Sequence, residues 1–442
     1  MTIADIIKRL CDAGHHAYIT GGAVRDILAG LPAKDEDVVT DATPEELQTL
    51  FPDYKVVTVG KSFGVTLIDG IEVATFRADK YAGLDARKCL VEFVNSLEED
   101  LARRDLTINA MAFCEQSGDI IDPHDGQGDL KKKVIRFVGD PVERIYEDPN
   151  RIIRACRFLA KIEGSFDCNT FEALSNHATF VRDNIAKERI RLEILKALEL
   201  PKPSLFFMAL FDIGALQYIF PSLVPCAAHI HGKHHREDVF THCMICGDHI
   251  SPKKPLLRLA GYLHDAGKPV SHTTDGKFIG HELEGANIAN AELRKLRFST
   301  DEVEGVVNLI LCHMLSIHDK ARVVVGKKAF RRFLAKLNDH EVSFDDFLRL
   351  RIADRKANLA KDDFTFKEIR GIRKQYFNVI NDKPAFSVRD LTINGLDVKE
   401  TLHIAPGPEI GRYLKELFEY VLENGPESNT RERLLARLHE IK

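Results

Sequence analysis

The sequence predicts an α+β head followed by an all-α remainder, and three observations carry that expectation. Through about the first 140 residues, short β-branched runs alternate with helical stretches and turn signals. From Pro141 onward, apolar residues recur at spacings of three and four, the period of an amphipathic helix. At 442 residues the chain is also long for one domain, and roughly 150 residues per domain suggests about three.

The runs HAYIT, DEDVVT, YKVVTVG, GVTLI, IEVATF and KVIRFV are the expected strands of one sheet in a head spanning 1–140. YEDPNRIIRACRFLAKI and AKERIRLEILKALEL then predict a helical neck over 141–200. PLLRLAGYLHDAG, STDEVEGVVNLILCHML and KKAFRRFLAKL predict a helical body over 201–365, and PEIGRYLKELFEYVLENG belongs to a helical tail over 366–442. Pro201 and Pro203, Pro221 and Pro225, and the polar stretch at Lys361 to Asp363 mark the breaks. The hexapeptide RDLTIN occurs at 104–109 and again at 389–394 with different flanks, so the second copy reads as coincidence.

Composition narrows the class. With 44% hydrophobic and 29% charged residues the chain is neither disordered nor collagen-like. No apolar run approaches the roughly 20 residues that span a bilayer, and MTIADIIKRL lacks the apolar core and cleavage site of a secretory leader. A cytoplasmic protein with no membrane partner is expected. The nine cysteines are odd in number and scattered, and Cys243 and Cys246 read as small hydrophobes sharing a helix face rather than a redox or zinc pair. A net charge of −5 supplies no global field for a polyanion, so nucleic-acid contacts must come from local basic clusters.

Residues 16–30, HAYITGGAVRDILAG, read as a strand, a turn at Gly21 and Gly22, and a helix carrying Arg25 and Asp26. Glycines admit a phosphate close to the backbone, and Arg25 offers a forked donor. Asp35 and Asp37 sit two apart at the head of a strand, so both carboxylates leave the same face, with Glu36 on the other. Two carboxylates that close repel unless a cation lies between them, and Mg²⁺ suits a few carboxylates plus substrate phosphates. Glu72, opening another strand, can complete a two-metal clamp. The plainer alternative is a solvated acidic loop, since TPEE has the look of a helix start. Farther on, Glu147, Asp148 and Arg151 stand at i, i+3 and i+4 spacing and are expected on one helix face. Cytosine and adenine both present an amino donor beside a ring-nitrogen acceptor, so a fixed carboxylate plus a guanidinium accepts them and rejects uracil and guanine. An ordinary helix salt bridge is the alternative.

GGAVRD, KDEDVVTDATPEEL, EVATFR, DLARRDLTINAMA and EDPNRIIRACRF occur in the order seen in class II tRNA nucleotidyltransferases, the CCA-adding enzymes and their poly(A) polymerase relatives of the polymerase-β-like superfamily. The resemblance is dense over about 200 residues and looser in the PGPEIG tail. It implies Mg²⁺ on Asp35 and Asp37 with Glu72 assisting, and it places Arg103, Arg104, Asp105 and Asn109 around the triphosphate and sugar. It also implies that Asp148 and Arg151 act as a protein template for CTP and ATP, with Glu147 orienting Arg151 and Arg154 nearby. The polar segment 78–99 resembles the mobile loop kept by enzymes able to add the final A.

HGKHHREDVFTHCMICGDHI, RLAGYLHDAGKP, FIGHELEGA and LILCHML resemble the H…HD…H…H series of HD-domain phosphohydrolases, with Asp354 as a candidate closing aspartate. His242 lies inside one helix, and His264 and Asp265 end another that Gly267 is expected to stop. Such a nitrogen-rich set suits Mn²⁺, Ni²⁺, Co²⁺ or Zn²⁺, with His281 and His313 available for a second ion. In the family this domain resembles a phosphatase or 2′,3′-cyclic phosphodiesterase.

Basic clusters at 131–133, at Lys327, Lys328, Arg331 and Arg332, and at Arg431, Arg433 and Arg437 are candidate RNA contacts, as is the helix start at Pro406 to Pro408. The expected function is template-independent addition of CCA, or its terminal A, to tRNA 3′ ends from CTP and ATP. The alternatives are a poly(A) polymerase, a metal phosphohydrolase whose head only senses nucleotides, and a non-enzymatic RNA-binding protein.

Overall fold

The computed structural model describes residues 1–30, 37–59, 64–81, 89–228, 236–271, 277–318 and 323–441. Asp35 and Glu36 therefore lie outside the described residues. The chain divides into two compact units, Met1–Val224 and Pro225–Lys442.

The first unit is built on β1 (Ala17–Thr20), β2 (Asp37–Thr40), β3 (Val56–Val59), β4 (Val65–Ile68), β5 (Ile71–Thr75), β6 (Arg77–Tyr81), β7 (Cys89–Phe93), β8 (Ala112–Phe113) and β9 (Ile120–Ile121). Seven of these form one sheet in the order β3-β4-β5-β2-β1-β8-β9. β2 and β5 run parallel, with Val38 opposite Val73 and Val39 opposite Ala74. Because side chains alternate along a strand, Ile19, Val38 and Val73 pack beneath the helix Ile3–Asp12 through Ile6, Ile7 and Leu10. Val39, Ala74 and Ala112 occupy the other face with Leu97 and Leu101. The acid-rich segment proves to be strand and helix start together: the helix Pro44–Leu50 begins at TPEE with a capping box between Thr43 and Glu46.

Two sequence expectations for this unit are corrected. KVIRFV does not join the sheet; Val134 and Ile135 pair instead with Ser165 and Phe166 in a separate two-strand ribbon. Segment 78–99 is not a loop throughout, since β6 and β7 form an antiparallel ribbon with Ala78 opposite Glu92; 82–88 lie outside the described residues. The remainder is helical, as expected, with Pro141–Glu147, Arg151–Ile162, Lys187–Leu198 and Ser204–Asp212 the main elements.

In the second unit, the helices Val239–Asp248, Pro255–Leu263, His281–Lys295, Thr300–Cys312 and Phe344–Ala357 pack on one another. Beyond them, Gly395–Leu402, Pro408–Asn424 and Arg431–Glu440 share a core of Val398, Leu402, Leu417, Val421, Leu434 and Leu438. The second RDLTIN copy has no resemblance in conformation to the first: Asn109 ends a buried 3₁₀ turn, whereas Asn394 caps the helix Gly395–Leu402.

Candidate functional site

A cavity of about 670 Å³ in the first unit is lined by Gly21, Gly22, Arg25, Asp26, Asp37, Glu72, Arg103, Arg104, Asp105, Asn109, Asp148, Arg151 and Arg154. All the described catalytic and nucleotide-binding candidates of the head and neck, apart from Glu147, line this one cavity. Asp37 and Glu72 are neighbours because β2 and β5 are parallel and adjacent, and each sits on the same sheet face as Val39 and Ala74, which also line the cavity.

Gly21 has φ 68°, and a Cβ there would lie 3.0 Å from Arg104 Nη1, so the turn admits a guanidinium where a side chain would stand. Arg25 differs from expectation. It is buried, its Nε donates to Asp26 Oδ1 at 2.9 Å and its Nη1 to Asn109 Oδ1, so its fork is occupied by protein rather than held open for phosphate. Burial lowers its pKa, opposed by the Asp26 carboxylate. Arg103 and Arg104 both donate to Asp100, at 2.7 and 3.0 Å. Asp105 accepts from Arg154 Nε at 2.8 Å and Asn109 Nδ2 at 3.0 Å. Burial would raise its pKa, but Arg154 and Asn109 outweigh burial and hold it well below the usual carboxylate range.

The expected single helix face at Glu147, Asp148 and Arg151 is not formed. Pro149 disfavours helical geometry in the residue before it, so the helix ends at Glu147, Asp148 is extended, and Arg151 starts the next helix. The break still leaves the charges together. Glu147 pairs with Arg151 and with Arg144, and Arg151 Nη2 donates to Arg103 O at 3.1 Å. Asp148 is held by both nitrogens of Arg189, at 2.8 and 2.7 Å.

Sequence reading missed Arg189, which comes from the helix Lys187–Leu198 and carries no local signal. It also missed Arg157, Phe158 and Lys161, which line the cavity. Those three continue the three- and four-residue spacing of Arg151 and Arg154, which would have found them. Phe158 is ringed by the guanidinium carbons of Arg25, Arg154 and Arg157 at 4.8, 5.4 and 4.3 Å.

The second unit brings the predicted histidines together. His242, His264 and Asp265 form one set of possible ligand atoms and Asp265, His281 and His313 another, the atoms of each within 4.8 Å of one another. Asp354 Oδ1 lies 3.1 Å from His242 Nε2. His264, His281 and His313 each donate Nδ1–H to a main-chain carbonyl, of Gly261, Phe278 and Ile310. Their Nε2 lone pairs are thereby aimed inward. His281 and His313 Nε2 stand 3.2 Å apart, and His264 Nε2 is buried without a hydrogen-bond partner. Lone pairs converging on a carboxylate in this way fit a borderline cation. Lys268 Nζ reaches Asp265 Oδ2 at 2.6 Å, and Arg351 reaches Asp354 Oδ2 at 2.6 Å; neither was singled out in the sequence. Burial opposes charge on His242 and His281, but Asp354 and Asp265 outweigh it and raise both, whereas burial lowers His313.

Gly267 is not the expected left-handed helix stop. Its role is contact: a Cβ there would lie 2.3 Å from His281 O and 2.5 Å from Gly285 N. Cys243 and Cys246 are buried, and burial pushes both thiols well up, as small core residues. Two basic clusters are engaged by protein. Lys328 pairs with Glu423, Arg332 with Glu419 at 3.3 Å, and Arg331 Nε donates to Leu422 O at 3.1 Å. Arg431 pairs with Asp397 at 2.5 Å, Arg433 donates to Glu427 O at 2.9 Å, and Arg437 pairs with Glu440 at 2.6 Å.

Comparison with known proteins agrees with this organisation. Three family models match in order: the poly A polymerase head domain over 17–136, the probable RNA and SrmB-binding site of polymerase A over 165–226, and the HD domain over 233–356. A CCA-adding enzyme of Ligilactobacillus salivarius is 28% identical over 422 residues, covering 93% of this chain and 89% of the relative. One from Bacillus pumilus is 42% identical over 198 residues, 44% of this chain and 48% of the relative. The Bacillus stearothermophilus CCA-adding enzyme, solved in complex with CTP, superposes with a TM-score of 0.69 at 25% identity, over 99% of this chain and 96% of that one. A polymerase-β-like nucleotidyltransferase head on a chain that also carries an HD domain is the class so defined. The chain carries a poly A polymerase head domain, an RNA-binding segment and an HD domain in that order, and it is similar to CCA-adding enzymes along nearly its whole length. No helix among the described residues is long and apolar enough to cross a membrane.

Proposed function

We propose that this chain adds CCA, or its terminal A, to tRNA 3′ ends from CTP and ATP without a nucleic-acid template. The observation that carries this reading is one cavity holding a carboxylate pair, Asp37 and Glu72, together with the base-edge pair Asp148 and Arg151. Asp37, Asp35 and Glu72 are the proposed holders of Mg²⁺. Mg²⁺, when bound there, supplies the charge that activates the RNA 3′-hydroxyl and neutralises the departing pyrophosphate. Arg103, Arg104 and Arg154 favour a triphosphate, and Arg25, tied to Asp26 and Asn109, orders the wall behind it. Asp148 accepts from the base amino group and Arg151 donates to the ring nitrogen. Arg189 leaves Asp148 room to do this, since a carboxylate offers about four acceptor positions.

The tail is proposed to contact RNA through the helix Phe366–Asn381 rather than through the basic clusters spent on ion pairs. Lys367, Arg370, Arg373 and Lys374 are exposed on it, with Phe366 81% and Phe377 55% exposed. Arg373 also pairs with the exposed Asp345 at 3.2 Å. Basic side chains between exposed rings suit phosphates and unstacked bases. For the HD domain, His242, His264, Asp265 and Asp354, with His281 and His313, are the proposed holders of Mn²⁺, Ni²⁺, Co²⁺ or Zn²⁺ for a phosphatase or cyclic phosphodiesterase activity. The cytoplasm is the proposed location.

The deciding experiment is primer extension on tRNA transcripts lacking CCA, ending in C, or ending in CC, with each nucleotide supplied separately. Stepwise C and A addition supports CCA synthesis, addition only after CC supports an A-adding enzyme, and long A tracts overturn both. Asp37→Ala is expected to slow addition about a thousandfold, the several kcal/mol of charge stabilisation a metal provides, with tRNA binding retained.

A further inference from the structure

The histidines of the HD cluster differ in what holds the outer ring nitrogen. His264, His281 and His313 each use a main-chain carbonyl three residues earlier, at 2.9, 2.7 and 2.6 Å. His242 instead presents Nδ1 to a carboxylate, 3.3 Å from Glu237 Oε1. The Glu237 side chain is 1% exposed. Its second oxygen accepts the N–H of Arg236 at 3.1 Å and that of Leu359 at 3.2 Å. Leu359 directly follows Asn358, the cap of the helix Phe344–Ala357 that carries Asp354. One buried carboxylate thus joins the ring of His242 to the chain segment that ends the helix bearing Asp354, which itself lies 3.1 Å from His242 Nε2.

A ligating imidazole needs its proton on the nitrogen away from the ion. A carboxylate on that proton fixes the tautomer and makes the other nitrogen a stronger ligand. We propose that Glu237 is a positioning residue for the HD metal site, holding His242 as the Nδ1–H tautomer with Nε2 turned to Asp265 and Asp354. This rests on reading the cluster as a metal site, and two measurements separate the ideas. Nitrogen-15 spectra of the histidine-labelled, metal-free full chain at alkaline pH report the His242 tautomer without any metal. Competition with a chromogenic chelator reports Zn²⁺ affinity. Glu237→Ala is expected to lose the Nδ1–H signature of His242 and to weaken Zn²⁺ binding about 10- to 100-fold. Glu237→Gln keeps an acceptor without the charge, so it is expected to keep the tautomer and lose less affinity. Wild-type tautomer and affinity in Glu237→Ala overturn the proposal. If the wild type binds no Zn²⁺, the metal reading fails and the tautomer alone decides for Glu237. Should Glu237→Ala not fold, Glu237→Gln decides: weaker Zn²⁺ binding supports the role, and wild-type affinity overturns it.

Discussion

Arg151 is a residue whose position is set by protein groups on several sides, namely Glu147, Arg144 O and Arg103 O. If it reads a base edge, Arg151→Ala should relax discrimination against UTP and GTP by about 10- to 100-fold, the worth of one hydrogen bond from a charged group. The measurement is the ratio of kcat/KM for CTP and UTP; equal loss for both would make Arg151 a phosphate ligand. Asp105 allows a test by pH. Its pKa is lowered in the folded state, because Arg154 and Asn109 overcome the effect of burial. The ionised form is therefore favoured by folding. The stabilisation is fully present above the unfolded value of about 3.9 and is lost as pH falls below it toward the folded value. Asp105→Asn should cost about 3 kcal/mol near neutral pH, and urea unfolding should show that gap closing below about pH 4. Asp37 was legible from strand alternation, a local rule, whereas Glu72 was reached only by supposing that its strand lies beside the first, a pairing that β2 and β5 make. Arg189 was not, since its grip on Asp148 spans 41 residues and no spacing rule reaches that far.

Elements were legible where a single period runs unbroken, as in the helices Arg151–Ile162 and Thr300–Cys312. They were misread where one residue interrupts the period. Pro149 splits the expected helix face, and Gly267 acts in packing rather than in capping. The charged helices teach a related lesson, because a basic run in sequence does not say whether a neighbouring helix supplies the acids. Lys328 and Arg332 are met by Glu423 and Glu419, whereas Arg370 and Lys374 stay exposed. The double variant Arg370→Glu with Lys374→Glu should therefore weaken tRNA binding. It should also reduce the slope of log affinity against log salt by about 1 to 2, as expected for two lost phosphate contacts. Lys328→Glu should leave that slope unchanged. Filter binding at several salt concentrations measures both.

At the scale of the molecule, two candidate metal sites with different donor sets fall in two compact units. The head offers carboxylate oxygens, which suit Mg²⁺, and the HD domain offers imidazole nitrogens, which suit transition metals. If the proposed phosphohydrolase activity is present, His264→Ala should abolish it and leave nucleotide addition within about twofold of wild type, as expected for sites that share no residues. Parallel assays on one preparation, with melting curves as a folding control, check this; joint loss in a well-folded variant would tie the two activities together. The close approach at Gly267 also bears on how such a domain changes over generations. Neighbouring side chains can adjust around an exchanged imidazole, but any side chain at position 267 meets the main chain of His281 and Gly285. A lineage that dispenses with these donors is therefore expected to shed histidines before this glycine, so that the shape of the cluster outlasts its ligands.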